Sequence, residues 1–281
     1  MSGAYQAERA MTNLARQPTV YLTHGGGPCF WMEFPEPIGA HAYDGLRAYL
    51  AGLLASLPAP PRAIVMVSAH WEEAVPTVST APAPPMLFDY YGFPPHTYRL
   101  EYPAPGAPQL AERVRGLLEA AGIAAAANAE RGFDHGVFVP MLIIDPPARI
   151  PVLMLSLAAD LDPARHLAIG AALSPLRDEQ VLLIGSGSSY HNLRRVFDGA
   201  EDGSGAFDEW LNATVATADA AERRSRLIDW HSAPNARACH PRAEHLIPLM
   251  VAAGAAGEDP GRATFRGRIG GKVYSCFSFG S

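Results

Sequence analysis

The sequence predicts one α/β domain in which a central, mostly parallel sheet is covered by helices and followed by a C-terminal hairpin. Three observations predict this architecture. Four short apolar runs lack polar alternation, which is typical of strands buried on both faces. Amphipathic helical patterns lie between these runs, and the alternation of strand and helix favours a layered α/β sandwich. The chain has 281 residues, of which 48% are hydrophobic and 18% charged, enough for one large core.

The elements follow from the apolar pattern in chain order. The predicted strands are 19–23 (TVYLT), 63–68 (AIVMVS), 151–157 (PVLMLSL) and 181–187 (VLLIGSG). The predicted helices are 42–57, 107–122, 163–176, 207–230 and a further helix that has Pro241 near its first turn. Near the C-terminus, residues 264–279 form two alternating arms around Gly270 and Gly271, which predicts a β-hairpin.

Composition narrows the possible functions. The net charge of −6 offers no basic face to a phosphate backbone, so we expect no nucleic-acid partner. No apolar run reaches the roughly 18 residues of a membrane helix, and the first residues lack the apolar centre of a secretory signal. We therefore expect a cytoplasmic protein with a flexible N-terminal arm over residues 1–18 and a small-molecule substrate. Three cysteines without CxxC spacing, Cys29, Cys239 and Cys276, are expected to be bystander thiols.

Histidines stand at the ends of two predicted strands. His24 follows the first strand and His70 the second, with one helix between them. A β-α-β unit brings the carboxyl ends of its strands to the same edge of the sheet, where open α/β sheets bind ligands. Three glycines after His24 allow a tight turn and close backbone approach. The pair therefore favours a metal site, although each histidine alone would more often be a ring held by a backbone hydrogen bond.

A third ligand is expected from the opening turns of the helix near Pro241. Both Glu244 and His245 lie there, about 100° apart around the helix, so they do not easily point the same way. The helix dipole favours a carboxylate at this end, whereas a neutral imidazole is indifferent to it. The residues alone leave both open, together with a purely structural role for each.

Two further segments offer groups that transfer protons near neutral pH. GSGSSYHN ends a strand with small residues and then presents His191 and Asn192, while RGFDHG places Asp134 beside His135. Imidazole titrates near neutrality, and a neighbouring carboxylate fixes its tautomer. An ordinary turn with internal hydrogen bonds is the alternative for the second segment.

Six segments occur in order between about residues 21 and 257: YLTHGGGP, SAHW, GFPPHTYRLEYPAPGAP, RGFDHG, GSGSSYHNLR and HPRAEHLIPL. Together they resemble the class III extradiol ring-cleavage dioxygenases of the LigB type, and most of all the branch that contains the DOPA 4,5-dioxygenases of plants and bacteria. The resemblance implies that residues 19–281 form a catalytic domain. It also implies a non-heme Fe(II) enzyme that binds a DOPA-like or other small substituted catechol, binds O2 beside it and cleaves the ring next to the diol.

The resemblance also implies a set of metal ligands. In this branch the positions that match His24, His70 and His245 bind the metal, and the one that matches His191 is either a fourth ligand or an acid/base. In the wider class a glutamate completes a set of two histidines and one carboxylate. Glu244 therefore remains an alternative to His245.

Further roles follow for residues near the metal. The position that matches His135 belongs to the second active-site histidine of the class, which handles the substrate hydroxyl or oxygen intermediates, so His135 and His191 are the candidate catalytic residues. On the Pro-rich loop, Tyr98, Arg99 and Tyr102 are candidates to bind the substrate ring or a carboxylate, for which the planar guanidinium is suited. Ordinary loop packing is the equal alternative for these three.

Two other classes of function are also compatible with the histidine pattern. One is a non-catalytic metal-binding protein of the same fold, since fold does not fix function. The other is a zinc-dependent hydrolase, because histidine ligands suit zinc, which activates water. Zinc also binds such donors more tightly than iron, so we expect it to replace Fe(II) during preparation. A monomer or a small homo-oligomer is expected.

Overall fold

The computed structural model describes residues 15–36, 38–196 and 203–280. Eight strands within them form one sheet in the order β4-β3-β5-β2-β6-β1-β8-β7. The strands are β1 (Thr19–Thr23), β2 (Ala63–Glu73), β3 (Thr77–Ser79), β4 (Ala126–Asn128), β5 (Val152–Ala158), β6 (Val181–Gly187), β7 (Gly261–Ile269) and β8 (Lys272–Phe279). The central strands β5, β2, β6 and β1 run parallel, as predicted. The antiparallel pair β7 and β8 is the predicted C-terminal hairpin.

The described residues include eight α-helices. They are α1 (Asp44–Gly52), α2 (Pro108–Ala120), α3 (His135–Ile144), α4 (Pro163–Leu173), α5 (Ser204–Val215), α6 (Ala220–Ile228), α7 (Ala236–Cys239) and α8 (Ile247–Ala256). In α1, which lies within the predicted helix 42–57, Leu46 and Leu50 are buried. Both α3 and α8 are apolar all round and almost entirely buried, as expected for helices covered on every side.

Helices cover both faces of the sheet, and β6 shows how they do so. A Cβ at Gly185 would lie 2.3 Å from the carbonyl oxygen of Pro248, so glycine is what permits α8 to approach this strand. The next residue, Ser186, donates instead to the carbonyl oxygen of Gly136 in α3. Because successive strand residues point to opposite faces, α8 and α3 lie on opposite sides of β6.

The structure corrects three predicted elements. The helix predicted over 207–230 is two helices, α5 and α6, because the side chain of Asp219 accepts two backbone N–H groups of the first turn of α6 and starts a new helix. The strand predicted over 63–68 continues to Glu73, so His70 lies inside β2 rather than after it. The helix expected to open near Pro241 begins only at Ile247, after a series of turns.

The predicted N-terminal arm falls largely outside the described residues, which begin at residue 15. Within its described part, Gln17 is buried, and its backbone N–H donates to the carbonyl oxygen of Arg177 at 3.0 Å. The cysteines Cys29, Cys239 and Cys276 are all buried, and none of the three forms a disulfide bond. In the described ranges, every helix is too short or too polar to cross a membrane.

Candidate metal centre

Three of the predicted ligands converge at the carboxyl edge of the sheet. His24 directly follows β1, and its backbone N–H donates to the last carbonyl of β6 at 3.0 Å. His70 lies near the end of β2, and His245 lies in the turn before α8, where its carbonyl accepts the Tyr21 hydroxyl at 2.8 Å. One ring nitrogen from each histidine lies within 4.8 Å of the other two. We call these three residues the histidine cluster.

Hydrogen bonds on the outer side fix the proton of two rings in the histidine cluster. The single hydroxyl proton of Ser186 goes to the Gly136 carbonyl, so Ser186 Oγ can only accept from His24 Nδ1, 3.0 Å away. Glu244 Oε1 lies 3.0 Å from His245 Nδ1 and, as a carboxylate oxygen, also accepts. Both rings therefore carry their proton on Nδ1, and the Nε2 of each keeps a lone pair.

The third ring, His70, also has an acceptor next to its Nδ1, but at a longer distance than in the other two rings. Asp89 Oδ2 lies 3.6 Å from His70 Nδ1, so the carboxylate favours a proton on that nitrogen. His70 Nε2 lies 3.1 Å from His24 Nε2. Burial, and then the neighbouring imidazoles, hold the pKa of His24 and of His245 well below the usual value. Burial, followed by the nearby His135 ring, lowers the pKa of His70 to about 3. All three imidazoles are therefore neutral at neutral pH.

The histidine cluster suits a divalent metal ion. Neutral imidazoles that donate their outer N–H to a carboxylate or hydroxyl are the usual form of histidine at metal sites. Two nitrogens that each lie about 2.1 Å from one ion, at a right angle to each other, are about 3 Å apart. The Nε2 atoms of His24 and His70 are 3.1 Å apart, close to this spacing. Without a cation, lone pairs directed at one another would repel. The donor set thus fits a bound metal better than a hydrogen-bonded core.

Glu244 joins the histidine cluster to His191. Its Oε1 lies 3.0 Å from Nδ1 of both His245 and His191, and the two rings stack with centroids 3.3 Å apart. Burial alone would raise the pKa of Glu244, but the hydrogen bond from His191 brings it below the usual value, so Glu244 is ionised. Glu244 thus lies on the outer, Nδ1 side of His245. His191 belongs to this separate group with Glu244 and His245, outside the set formed with His24 and His70.

His135 lies on the other side of the histidine cluster, at the first turn of α3. Asp89 Oδ1 accepts both its ring Nδ1, at 2.8 Å, and its backbone N–H, at 2.9 Å. This places the proton on Nδ1 and leaves Nε2 free, while the ring centroid lies 3.9 Å from that of His70. Burial by itself raises the pKa of Asp89, and the hydrogen bond from His135 brings it below the usual value.

The segment before α3 holds this arrangement in place. Asp134 is fully buried and accepts the Ser68 hydroxyl at 2.7 Å and an Arg131 N–H at 2.7 Å. The same Arg131 nitrogen donates to the carbonyl oxygen of His70 at 3.0 Å. Burial raises the pKa of Asp134, with Arg131 acting in the opposite direction. Asp134 therefore orients β2 and α3 and does not itself face the histidine cluster.

An open cavity of about 730 Å³ lies over the histidine cluster. Its inner wall contains the three clustered histidines with His135 and His191, and Arg242 and Glu72 lie at its surface. Two guanidinium nitrogens of Arg242 pair with the two carboxylate oxygens of Glu72. The predicted metal and acid/base residues thus share one cavity wall.

The three predicted substrate-binding residues lie away from this cavity. Tyr102 is buried and packs on Phe133, and Tyr98 packs among other aromatic rings behind Tyr90. Arg99 is exposed at the end of a short 3-10 helix. The structure therefore brings none of the three to the cavity wall, because the Pro-rich loop turns its ring side chains into the core.

Two residues of the site escaped the sequence analysis. Asp89 lies in an irregular stretch after β3, and Ser186 lies inside the apolar run of β6. Ser186 had a detectable signal, since it is a hydroxyl within a strand that otherwise reads as core. Asp89 had none, because its partners His70 and His135 are distant in sequence.

Neutral histidines with open space in front of them, at the carboxyl edge of a parallel sheet, define a class of protein. Such a site is typical of a mononuclear metal enzyme that keeps coordination positions free for its substrate. Closed structural sites use all their positions for protein ligands instead.

Comparisons with known proteins identify the family. Residues 18–276 match the catalytic LigB subunit of aromatic ring-opening dioxygenases. The chain is 39% identical to the dioxygenase tasH of Hapsidospora irregularis, over 89% of this chain and 81% of that protein. It is 34% identical to a 4,5-DOPA dioxygenase extradiol of Escherichia coli K12, over 87% and 88% of the two chains. A crystal structure of an uncharacterized Escherichia coli K12 protein superposes with a TM-score of 0.74 at 29% identity, covering 94% of this chain and 100% of that one.

This chain belongs to the LigB family of aromatic ring-opening dioxygenases. It is an extradiol ring-cleavage dioxygenase, and the resemblance seen in the sequence motifs is confirmed. The family is metal-dependent, in agreement with the histidine cluster.

Proposed function

We propose that this protein is a non-heme Fe(II) enzyme that cleaves the ring of a catechol next to its two hydroxyl groups. In this reaction one ring carbon–carbon bond breaks and both atoms of O2 enter the product. The observation that carries the proposal is the histidine cluster, whose Nε2 lone pairs face one another while the outer nitrogens have partners. His24, His70 and His245 are the proposed ligands. When bound, Fe(II) would supply open positions for both catechol oxygens and for O2.

The third ligand is proposed to be His245 rather than Glu244. Glu244 Oε1 already lies between Nδ1 of His245 and Nδ1 of His191. A carboxylate in this position orients the imidazole and raises its basicity, as outer carboxylates commonly do at metal sites. The adjacency of the two residues, ambiguous in the sequence, then has a physical reason, because one binds the metal and the other holds its partner.

His191 and His135 are proposed to move protons. A catechol must lose protons to chelate a metal, and each of these rings lines the cavity with its Nδ1 held by a carboxylate. Nε2 of each is therefore the nitrogen that accepts a proton from the substrate and returns it later. Because His191 stacks on His245 and lies outside the set formed with His24 and His70, we propose it as an acid/base and not as a fourth ligand.

Reconstitution under anaerobic conditions tests the function. The purified protein is stripped of metal, loaded with Fe(II) and mixed with a panel of catechols in oxygenated buffer. We expect oxygen uptake in equal amounts with the catechol and a yellow ring-opened product. Loading with Zn(II) in place of Fe(II) should give no oxygen uptake, which separates the dioxygenase from a zinc hydrolase. Absence of oxygen uptake with every catechol would refute the proposal.

Single substitutions test the ligands. His24→Ala, His70→Ala and His245→Ala should each abolish metal retention, measured by elemental analysis after gel filtration. His231→Ala is the matched control, because His231 is exposed and forms an ion pair with Asp229 at 3.2 Å. Full metal content in any of the first three variants would contradict the assignment of that residue.

A further inference from the structure

We propose, on the basis of the function proposed above, that the cavity selects catechols with a bulky, uncharged, apolar substituent. Tyr91 and Leu193 are the residues that determine this specificity. The inference departs from the small DOPA-like substrate expected from the sequence. It rests on the size of the cavity, the chemistry of its walls and the pairing of its charges.

The cavity is much larger than one ring requires. Its volume is about 730 Å³. A protein cavity of about 150 Å³ already holds a benzene molecule. A catechol bound at the histidine cluster would therefore leave most of the volume empty. A substrate that fills the site must carry a large group in addition to the diol ring.

The walls away from the histidines are mainly apolar. They come from the segment after β1, the loop after β3, the loop after β6 and the C-terminal hairpin. The apolar side chains along these walls include Phe34, Ile38, Tyr43, Phe93, Val196 and Ile269. Apolar surface of this extent favours a substituent that is itself apolar, because binding then removes both surfaces from water.

Tyr91 and Leu193 are exposed in an unusual way. Among the large hydrophobic side chains that the structure describes, these two stand out as exposed, Tyr91 at 91% and Leu193 at 66%, and both line this cavity. They come from different loops, one after β3 and one after β6. Large apolar side chains left in water at the rim of a site are typical of a surface that a ligand covers. A bulky substituent that extends out of the cavity would contact both.

The charged groups of the cavity already have partners. Arg242 is the one arginine or lysine among the described residues that line it, and both of its terminal nitrogens pair with Glu72. Asp89 pairs with His135, and Glu244 lies against His191 and His245. A substrate carboxylate or ammonium would compete with one of these partners. An uncharged substituent has no such cost.

A matched series of catechols tests the inference. The Fe(II) enzyme is given 4-methylcatechol, 3,4-dihydroxybiphenyl, L-DOPA and dopamine, and kcat/KM is measured by oxygen uptake. We expect 3,4-dihydroxybiphenyl to exceed each of the others at least tenfold. The dissociation constants of the same compounds, measured by anaerobic calorimetry on the Zn(II)-loaded protein, should follow the same order. Equal or better binding and turnover of L-DOPA, dopamine or 4-methylcatechol would overturn the inference while leaving the dioxygenase function intact.

Substitutions at the rim test the two named residues. Tyr91→Ala and Leu193→Ala should each lower the ratio of kcat/KM for 3,4-dihydroxybiphenyl to that for 4-methylcatechol at least fivefold, with the loss mainly in KM. Tyr91→Phe keeps the ring and should restore the ratio. An unchanged ratio in both alanine variants would overturn the role of these residues. If no catechol consumes oxygen, the proposed function fails, and the calorimetric order still decides whether the cavity prefers the apolar group.

Discussion

Replacing Ser186 with alanine would remove the hydroxyl that fixes the proton of His24. In the native protein Ser186 Oγ accepts from His24 Nδ1 at 3.0 Å and donates to the carbonyl oxygen of Gly136. The metal-free variant can compensate for one of the two lost hydrogen bonds. The proton of His24 can move from Nδ1 to Nε2, which lies 3.1 Å from His70 Nε2 and can donate to it. The metal-bound variant cannot, since Nε2 must then bind the ion and a buried Nδ1–H is left without an acceptor.

This difference sets the expected magnitudes. Loss of an outer partner of a metal ligand typically lowers affinity about 10- to 100-fold. The free energy of unfolding of the metal-free protein should fall by about 1–3 kcal/mol, because the Gly136 carbonyl loses its side-chain donor inside the core. Ser186→Ala should therefore lower the metal affinity, and its loss of stability in the metal-free protein should not account for that decrease.

Competition against a chromophoric chelator measures the affinity, and urea titration of the metal-free protein measures the stability. Ser156→Ala is the matched control, because Ser156 is a buried strand serine that accepts the Thr77 backbone N–H at 2.9 Å, away from the histidine cluster. We expect it to lose similar stability but no more than about twofold in metal affinity. Equal metal affinity in the Ser186→Ala and Ser156→Ala variants would refute the reasoning.

Three further predictions follow from the site and its surroundings. Glu244→Gln should keep its metal with about tenfold lower affinity, whereas His245→Ala should lose it, as measured by elemental analysis. Metal loss in Glu244→Gln with metal retained in His245→Ala would make Glu244 the ligand. His191→Ala should lower kcat by about 100-fold or more with metal content preserved, and an equal loss of both would make it a ligand. Burial holds the pKa of His240 at about 4, so below pH 6.5 the unfolded chain binds a proton that the native protein excludes. This group alone should lower the stability by up to about 3 kcal/mol between pH 6.5 and 4, and urea titrations of His240→Asn should show a shallower fall.

Much of the fold follows from the sequence because its central strands are short apolar runs. The four predicted strands correspond to β1, β2, β5 and β6, and the glycine pair predicted the hairpin of β7 and β8. Helix α3 was not predicted, because its residues are apolar all round and include Pro140, so the helical period is absent. The break before α6 depended on a single capping aspartate, Asp219, within a pattern that otherwise reads as continuous helix.

The candidate site follows from the sequence only in part. His24 and His70 could be predicted because strand ends in a β-α-β unit meet at one edge. The choice between Glu244 and His245 depended on which nitrogen of the ring the carboxylate contacts, a distance that sequence spacing does not encode. The sequence could not show that Tyr98, Arg99 and Tyr102 lie away from the cavity wall, since a Pro-rich loop gives no indication of which side chains turn inward. Three rings of the neighbouring stretch, Tyr90, Tyr91 and Phe93, line the cavity.

Anomalous diffraction at the iron edge, from crystals loaded with Fe(II) without oxygen, tests the central claim most directly. The account predicts one peak about 2.1 Å from Nε2 of His24, His70 and His245, with Glu244 held against Nδ1 of His245. A peak bound by Glu244 in place of His245, or no peak among these three rings, would contradict it.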